Sequence, residues 1–368
     1  MKFFIINTDY PDFLTWLYHE QPNLHGQSFA QQLNARMESL FGVADFYSSN
    51  LRKLGHDVYE THYNNEHLQR AWARENQISV SSSWTWQFVL RKGWLPWLKR
   101  VWTDKWQYEI LASQIKQYRP DVLFNQNIRL DSQFLHEMKP YIGLLVGQHA
   151  SPIPQIDLSM YDLIISSLPN LVDYFRKQGL NSELHRLGFE PSILNRVHSS
   201  KRKYDVVFIG SIYYVHTERL TLLEYLCQNT DMKIWGNLID TLPGSSPIHQ
   251  AYQGKAWGKD MYQIFRDAKI VLNNHVDIAE NYANNMRLFE ATGTGTLLIT
   301  DWKQNLHEMF ELDKEVVTYH TPEECLEKIR YYLEHDEERQ QIAHAGQQRT
   351  LTKHNYQERM IELIKIIT

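Results

Sequence analysis

Short apolar runs that read as buried strands alternate with helical patterns along this chain, and the alternation restarts once. The first series places strands at 2–6, 56–61, 121–125, 142–146, 161–166 and 185–187, with helical patterns at 28–54, 65–75, 106–118, 131–138 and 169–177 between them. The second series places strands at 204–209, 232–235, 270–273, 296–300 and 316–319, helices at 217–228 and 260–268, and three closing helices. Such alternation specifies parallel sheets flanked by helices. The expected fold class is therefore α/β, with two Rossmann-like parallel-sheet domains facing a cleft and C-terminal helices packing back toward the first domain. The expected boundaries are an N-terminal domain at 1–190, a second domain at 191–345, and a final helix at 346–368 crossing back to the first. Local signals agree with the alternation. Asp131 reads as a helix N-cap, and Thr321, Pro322 and Glu324 form a capping box at the first closing helix.

At 368 residues the chain exceeds a single comfortable core. Hydrophobic and charged fractions of 43% and 22% are those of a soluble globular protein. A net charge of -5 and a pI near 6.4 argue against a general nucleic-acid binder. Cys227 and Cys325 are lone and far apart, which excludes a zinc knuckle and a disulfide framework. The N-terminus reads as a first strand and not as a signal peptide, and no apolar run nears the ~20 residues of a membrane span. The expected location is cytoplasmic.

Ligands of parallel sheets bind beyond the C-terminal ends of the strands. The strand-end candidates are Asn7, Asp9, Asn125, Asn127, Gln148 and His149 in the first half. In the second half they are Gly210, Ser211, Gly236, Asn237, Asn274 and His275. Gly210-Ser211 permits close backbone approach to a phosphate, with His216 and Arg219 available to neutralise it. The stretch 280–301, ENYANNMRLFEATGTGTLLITD, is an amide-rich turn, the first turns of a helix carrying Arg287 and Glu290 on one face, and a strand ending at Asp301. Open backbone N–H groups there suit an anion, and the Glu290 carboxylate can accept two hydrogen bonds from a vicinal diol. The chain has no HExxH, GxSxG, DxD, Walker A or GxGxxG pattern in the right context, so metal-independent chemistry is expected, with no cofactor. His149 could bond a substrate hydroxyl or move a proton.

Trp84, Trp86, Trp94, Trp97, Trp102 and Trp106 crowd one segment, interleaved with Arg91, Lys92, Lys99, Arg100 and Lys105 against a single Asp104. The structural reading of 84–106 is an amphipathic helical hairpin burying its tryptophans. The functional readings are an aromatic platform for a sugar or lipid acceptor, or a peripheral contact with an anionic membrane at its inner face.

The last ~110 residues resemble the GT-B-fold glycosyltransferases, most closely the CgeB-like (spore-maturation-type) branch and more distantly the family-4 retaining enzymes. The pattern N-x-R-x-F-E-A…G-T-x-L-x-x-D stands here as Asn285, Arg287, Phe289, Glu290, Ala291, Gly295, Thr296, Leu298 and Asp301. The resemblance implies that Glu290 binds the ribose hydroxyls of a nucleotide-sugar donor. It also implies that the backbone around 283–286, including Asn284, Asn285 and Met286, meets diphosphate and sugar. Gly210 and Ser211 would form the phosphate-facing turn, Arg219 the cation, and Trp257-Gly258-Lys259 the neighbourhood of the base. His149 stands where family-4 enzymes set a histidine against the transferred sugar. Two positions depart from family 4: Tyr282 replaces the first of its paired glutamates, and Ser211 replaces the arginine after the phosphate-turn glycine.

The resulting expectation is a glycosyltransferase using a UDP-, GDP- or dTDP-linked sugar and an acceptor that is a small molecule, glycan, lipid or protein. If the reaction inverts, Asp9 and His149 are the candidate bases; if it retains, His149 orients the sugar. The rivals are a nucleotide-sugar epimerase on the same fold and a non-catalytic nucleotide- or carbohydrate-binding protein.

Overall fold

The computed structural model of the chain describes residues 1–91, 94–126, 128–198, 201–212, 217–237 and 239–368. Lys92, Asn127 and His216, singled out above, lie outside the described residues. In chain order the first elements are β1 (Lys2–Asn7), α1 (Pro11–Glu20), α2 (Phe29–Glu38), α3 (Phe46–Lys53), β2 (Asp57–His62) and α4 (Glu66–Glu75). There follow β3 (Trp84–Arg91), β4 (Leu95–Trp102), α5 (Lys105–Tyr118), β5 (Val122–Asn125), α6 (Ser132–Met138), β6 (Leu144–Gln148), β7 (Leu163–Ser166), α7 (Pro169–Lys177) and β8 (Ser182–Leu184). The second series is β9 (Tyr204–Ile209), α8 (Thr217–Asn229), β10 (Lys233–Trp235), α9 (Ile248–Ala251), α10 (Gly258–Asp267), β11 (Ala268–Asn273), α11 (Arg287–Gly293), β12 (Leu297–Asp301) and β13 (Val317–Tyr319). The closing helices are α12 (Pro322–Glu334), α13 (Asp336–Lys353) and α14 (Tyr356–Ile367).

The first sheet has the order β2-β1-β5-β6-β7-β8, with β1 parallel to β2 and β5, and β5 parallel to β6. The second has the order β10-β9-β11-β12-β13 and is parallel throughout. Contacts group the chain into two compact units. One is Met1–Glu38, Leu51–His149 and Ile153–Ile164; the other is Ser39–Asn50, Ala150–Pro152 and Ile165–Thr368. The strand cores read as continuous apolar runs because helices cover a parallel sheet on its faces. In the second unit Phe208, Ile270, Leu272 and Ile299 pack with Leu223 of α8 and Ile329 of α12.

Three local expectations are corrected. The helical pattern at 28–54 is two helices, α2 and α3, because Leu40, Gly42 and Ala44 all take positive φ between them. The short strand expected at 185–187 lies at β8 instead, although His185 still donates its N–H to Ser166 O at 2.8 Å. The tryptophan segment is not a helical hairpin but an antiparallel ribbon, β3 with β4, in which Trp84 faces Trp102 and Phe88 faces Leu98. Aromatic and β-branched residues favour the pleated chain, and among these tryptophans Trp106, which opens α5, is the one in a core, beside Trp72 and Ile110. The expected caps are present: Asp131 accepts from Phe134 N at 2.9 Å, and Thr321 from Glu324 N at 3.2 Å. The Glu324 side chain reaches back to His320 N. Among the described residues no helix is long and apolar enough to cross a membrane.

Candidate functional site

In the second sheet the strand order reverses between β9 and β11, because β10 lies beyond β9 and β12 beyond β11. The ends of β9 and β11 therefore flank a topological switch point, the usual ligand position of an open parallel sheet. Arg219 of α8 spans it. Its guanidinium donates to Ser211 O at 3.2 Å and to Asn274 O at 2.6 Å, and it lies over the Phe208 ring at 5.7 Å. Burial holds its pKa below the ordinary value, against the pull of Asp301. Gly210 donates its N–H to Trp235 O, and Ile212 donates to Asn237 O, which ties the loops after β9 and β10 together. Gly236 is obligatory there, since a Cβ on it would stand 2.1 Å from Gly210 O. Ser211 is exposed.

The turn entering α11 is held from its sides. Asn305 pairs with Ala283 through both its Oδ1 and its Nδ2; Asn284 donates to Ser167 Oγ at 3.2 Å, and Asn285 to Asn273 Oδ1 at 2.8 Å. Glu280 takes a positive φ of 49°. The backbone N–H groups of Asn284, Asn285, Met286 and Arg287 donate to nothing among the described residues. These four consecutive donors are clamped by amide side chains and left open. The four residues are half-buried, and N–H groups at the start of a helix have no intrahelical acceptor, so the turn is suited to an oxygen-rich ligand.

Glu290 stands one turn into α11 and is 3% exposed. Its Oε2 is ion-paired with Arg287, and its Oε1 accepts from Tyr262 OH at 3.3 Å. Burial raises its pKa above the ordinary carboxyl value, outweighing Arg287 and Tyr262. A diol would take one of these partners' places. Gly258, first residue of α10, has φ of 47°, and a Cβ on it would meet Ser39 O at 1.9 Å. Lys259 donates its N–H to the same Ser39 O, and Trp257 meets Phe41 edge-on. Ser39 and Phe41 gave no sequence signal: they lie in the break between α2 and α3, far along the chain.

A pair that the sequence listed only in part completes this region. His275, just past β11, sets Nδ1 2.7 Å from Asp301 Oδ1 at the end of β12, and its own N–H also reaches that oxygen at 3.0 Å. Burial tends to raise the Asp301 pKa, but His275 and Lys303 together hold it below the ordinary value. His275 Nε2 is buried without a partner among the described residues. The switch-point side of the second unit thus gathers Gly210, Ser211, Arg219, His275, Asp301 and the turn at 284–287.

In the first unit Asp9 follows β1 and is buried. Its Oδ1 accepts from Arg36 Nη2 at 2.7 Å and Nε at 3.0 Å, and His62 Nδ1 stands 3.0 Å from Oδ2. Burial alone would raise its pKa, yet His62 and Arg36 hold the carboxyl far below its usual range. A carboxylate so placed is a poor proton acceptor. His149 follows β6 directly and is 6% exposed. Asn7 donates to Glu60, and Asn125 to Tyr161 OH at 2.6 Å, so both amides are engaged within the unit.

Residues 218–365 match the family described as glycosyl transferase-like. No curated protein matches the sequence significantly. Among solved structures, HepE of Anabaena in complex with UDP-glucose is 10% identical, covers 100% of this chain and 99% of its own, and superposes with a TM-score of 0.59. A glycosyltransferase from Rickettsia africae is 10% identical over 99% of this chain and 97% of its own, with a TM-score of 0.60. The pneumococcal O-GlcNAc transferase GtfA, in complex with UDP and GlcNAc, is 10% identical over 100% and 98%, with a TM-score of 0.56. Together with the two parallel sheets, these likenesses show that the chain has the GT-B fold of glycosyltransferases.

Proposed function

We propose that this chain is a glycosyltransferase that moves a sugar from a nucleoside-diphosphate donor, bound mainly in the second unit, to an acceptor bound mainly in the first. The observation that carries the reading is the turn at 284–287. Its four open N–H groups lead into the helix that carries Glu290, so a diphosphate and a ribose would meet complementary groups in one stretch. The match over 218–365 covers that stretch and supports the same reading. A UDP-sugar is the first donor to test, because two of the structural neighbours were crystallised with UDP or UDP-glucose. The CgeB-like placement, with its unassigned stereochemistry, belongs to this proposal.

In the proposed reaction the leaving diphosphate gains negative charge as the glycosidic bond breaks. Arg219 and the 284–287 amides supply positive potential without reorganising, which is the most effective way to lower such a barrier. The reaction is proposed to proceed without a metal ion. His149 is proposed to contact the transferred sugar from the first unit. Asp9, bound by Arg36 and His62, is proposed to position that strand end and not to take the proton.

The test is to incubate the purified chain with UDP-, GDP- and dTDP-sugars and to follow nucleoside diphosphate release, with and without a chelator. Slow release that persists in the chelator is expected; a new nucleotide sugar would indicate an epimerase instead. Glu290→Gln should weaken donor binding by roughly tenfold or more, since a hydrogen bond to a charged group contributes about 1.5–3 kcal/mol. Unchanged affinity in calorimetry would remove Glu290 from the ribose.

A further inference from the structure

The tryptophan ribbon and one side of α4 line a half-open cavity of about 400 Å³ in the first unit. That is within the range of small-ligand sites, roughly 300–1,000 Å³. Trp84 and Trp102 form its aromatic wall, and they face each other across the ribbon. Arg100 lies over both rings, 4.3 Å from the Trp84 centroid and 5.1 Å from that of Trp102. Arg70, Arg74, His25 and His67 complete the basic side.

Among the described residues, the one acidic group lining the cavity is Glu66. Its Oε1 accepts from Arg70 Nε at 2.7 Å and from Ser83 Oγ, so its charge is spent. Arg74 and Arg100 make no ion pair among the described residues. Two guanidinium groups therefore face the cavity with no counter-charge. Burial lowers the pKa of His67, and His25 and Arg74 add to this against Glu66, as expected in a positive field. The protein as a whole carries a net charge of -5, so this positive field is local.

One end of the cavity, at Glu66 and His67, stands at the functional end of the sheet, and Arg74 lies in the last turn of α4. Glu66 and His67 open α4, immediately after β2 ends at His62. Ligands of parallel sheets bind on that side.

An exposed indole beside a fixed guanidinium fits a ring with one apolar face and an anionic substituent. The C–H face of a pyranose packs on the indole, and a carboxylate or phosphate accepts the paired N–H donors of an arginine. We propose that this cavity is the acceptor subsite and that the acceptor is an acidic saccharide, its ring on Trp102 and its anionic group between Arg74 and Arg100. The inference rests on the glycosyltransferase reading and adds the substrate class.

The experiment is calorimetric titration of the full chain with trigalacturonate, with mannose 6-phosphate and with neutral maltotriose. At least one acidic ligand should bind about tenfold more tightly than maltotriose, as charge-assisted bonds to arginine require. That advantage should shrink as salt is raised to about 0.5 M. Preference for trigalacturonate assigns a carboxylate, and preference for mannose 6-phosphate a phosphate. Arg74→Gln and Trp102→Ala should each lose most of the advantage. Both residues are exposed, so the variants should melt with the parent, and Arg100→Gln gives a third check. Equal binding of acidic and neutral ligands, or variants that bind as the parent does, would overturn the proposal. A parallel titration with UDP separates the two readings. UDP that binds while no acidic saccharide does overturns the acceptor assignment and leaves the donor site standing. Acidic saccharides that bind while UDP does not retain the cavity and remove the glycosyltransferase reading.

Discussion

Asp9 stands where a general base would be expected, one loop past the first strand. Its surroundings favour a positioning role, as proposed above. Arg36 on α2 is 3% exposed and His62 at the end of β2 is 1% exposed, so Asp9 and Arg36 form a buried ion pair with the imidazole of His62, whose pKa burial lowers, beside it. Removing one member leaves the others unpaired in a low-dielectric site. Asp9→Asn should therefore cost about 3–5 kcal/mol of stability, the usual penalty for breaking a buried pair. Urea unfolding checks it. Unchanged stability with abolished turnover would return Asp9 to catalysis. The sequence could mark Asp9 because strand ends are readable from apolar runs. It could not mark Arg36 and His62 as partners, because they are joined to Asp9 only by the folding of α2 and β2 beside β1. Glu290 differs: its partner Arg287 is three residues away on one helix, so that pairing was legible in the sequence.

At the scale of elements, the parallel strands and closing helices were legible because apolar runs, glycines and caps marked their ends. The break at Ser39–Asp45 was not. Leu33, Met37, Leu40 and Phe41 continue the helical spacing straight through it, and nothing in the residue types of Leu40 and Ala44 marks their positive φ. The ribbon was misread because tryptophans two or three apart satisfy either period; its alternation over Trp84, Trp86 and Phe88 is the strand signal. Helix α13 supplies a sharper test of packing against propensity. Gly346 lies inside it, and Ala at an interior helix position is worth about 0.8–1.0 kcal/mol over Gly. Yet a Cβ at 346 would stand 2.2 Å from Glu315 O, and 3.5 Å from Thr292 Cγ2 on α11. Backbone is costly to move, and overpacking penalties reach about 1–3 kcal/mol. Gly346→Ala should therefore lower the melting temperature despite its better propensity. A rise would mean that the Glu315 loop yields freely.

At the scale of the whole molecule, stability should fall in two steps on acidification; the first is carried by buried histidines, His62 in the first unit among them and His185 and His354 in the second. His185 and His354 each present Nε2 to a backbone carbonyl, Arg359 O at 2.9 Å and Met309 O at 2.8 Å. In both rings Nδ1 is buried with no partner among the described residues. Protonation would place a charge there with nothing to accept it, and burial pushes both pKa values down to about 4. The unfolded chain takes up these protons near pH 6.5, and the folded chain only near 4. The stabilisation is therefore complete above about pH 6.5 and is lost as pH falls toward 4, by up to roughly 3 kcal/mol per histidine. The carboxylates follow. Asp9 and Asp301 have lowered pKa values in the fold, so their contribution is present above the unfolded value near 3.9 and is lost below it. Urea midpoints measured from pH 7.5 to 3 should show both steps. Replacing His185 and His354 by Gln, whose neutral amide does not titrate, should shrink the first step and spare the second. A midpoint constant between pH 6.5 and 4.5 in the parent would mean that the folded chain opens enough to solvate both rings.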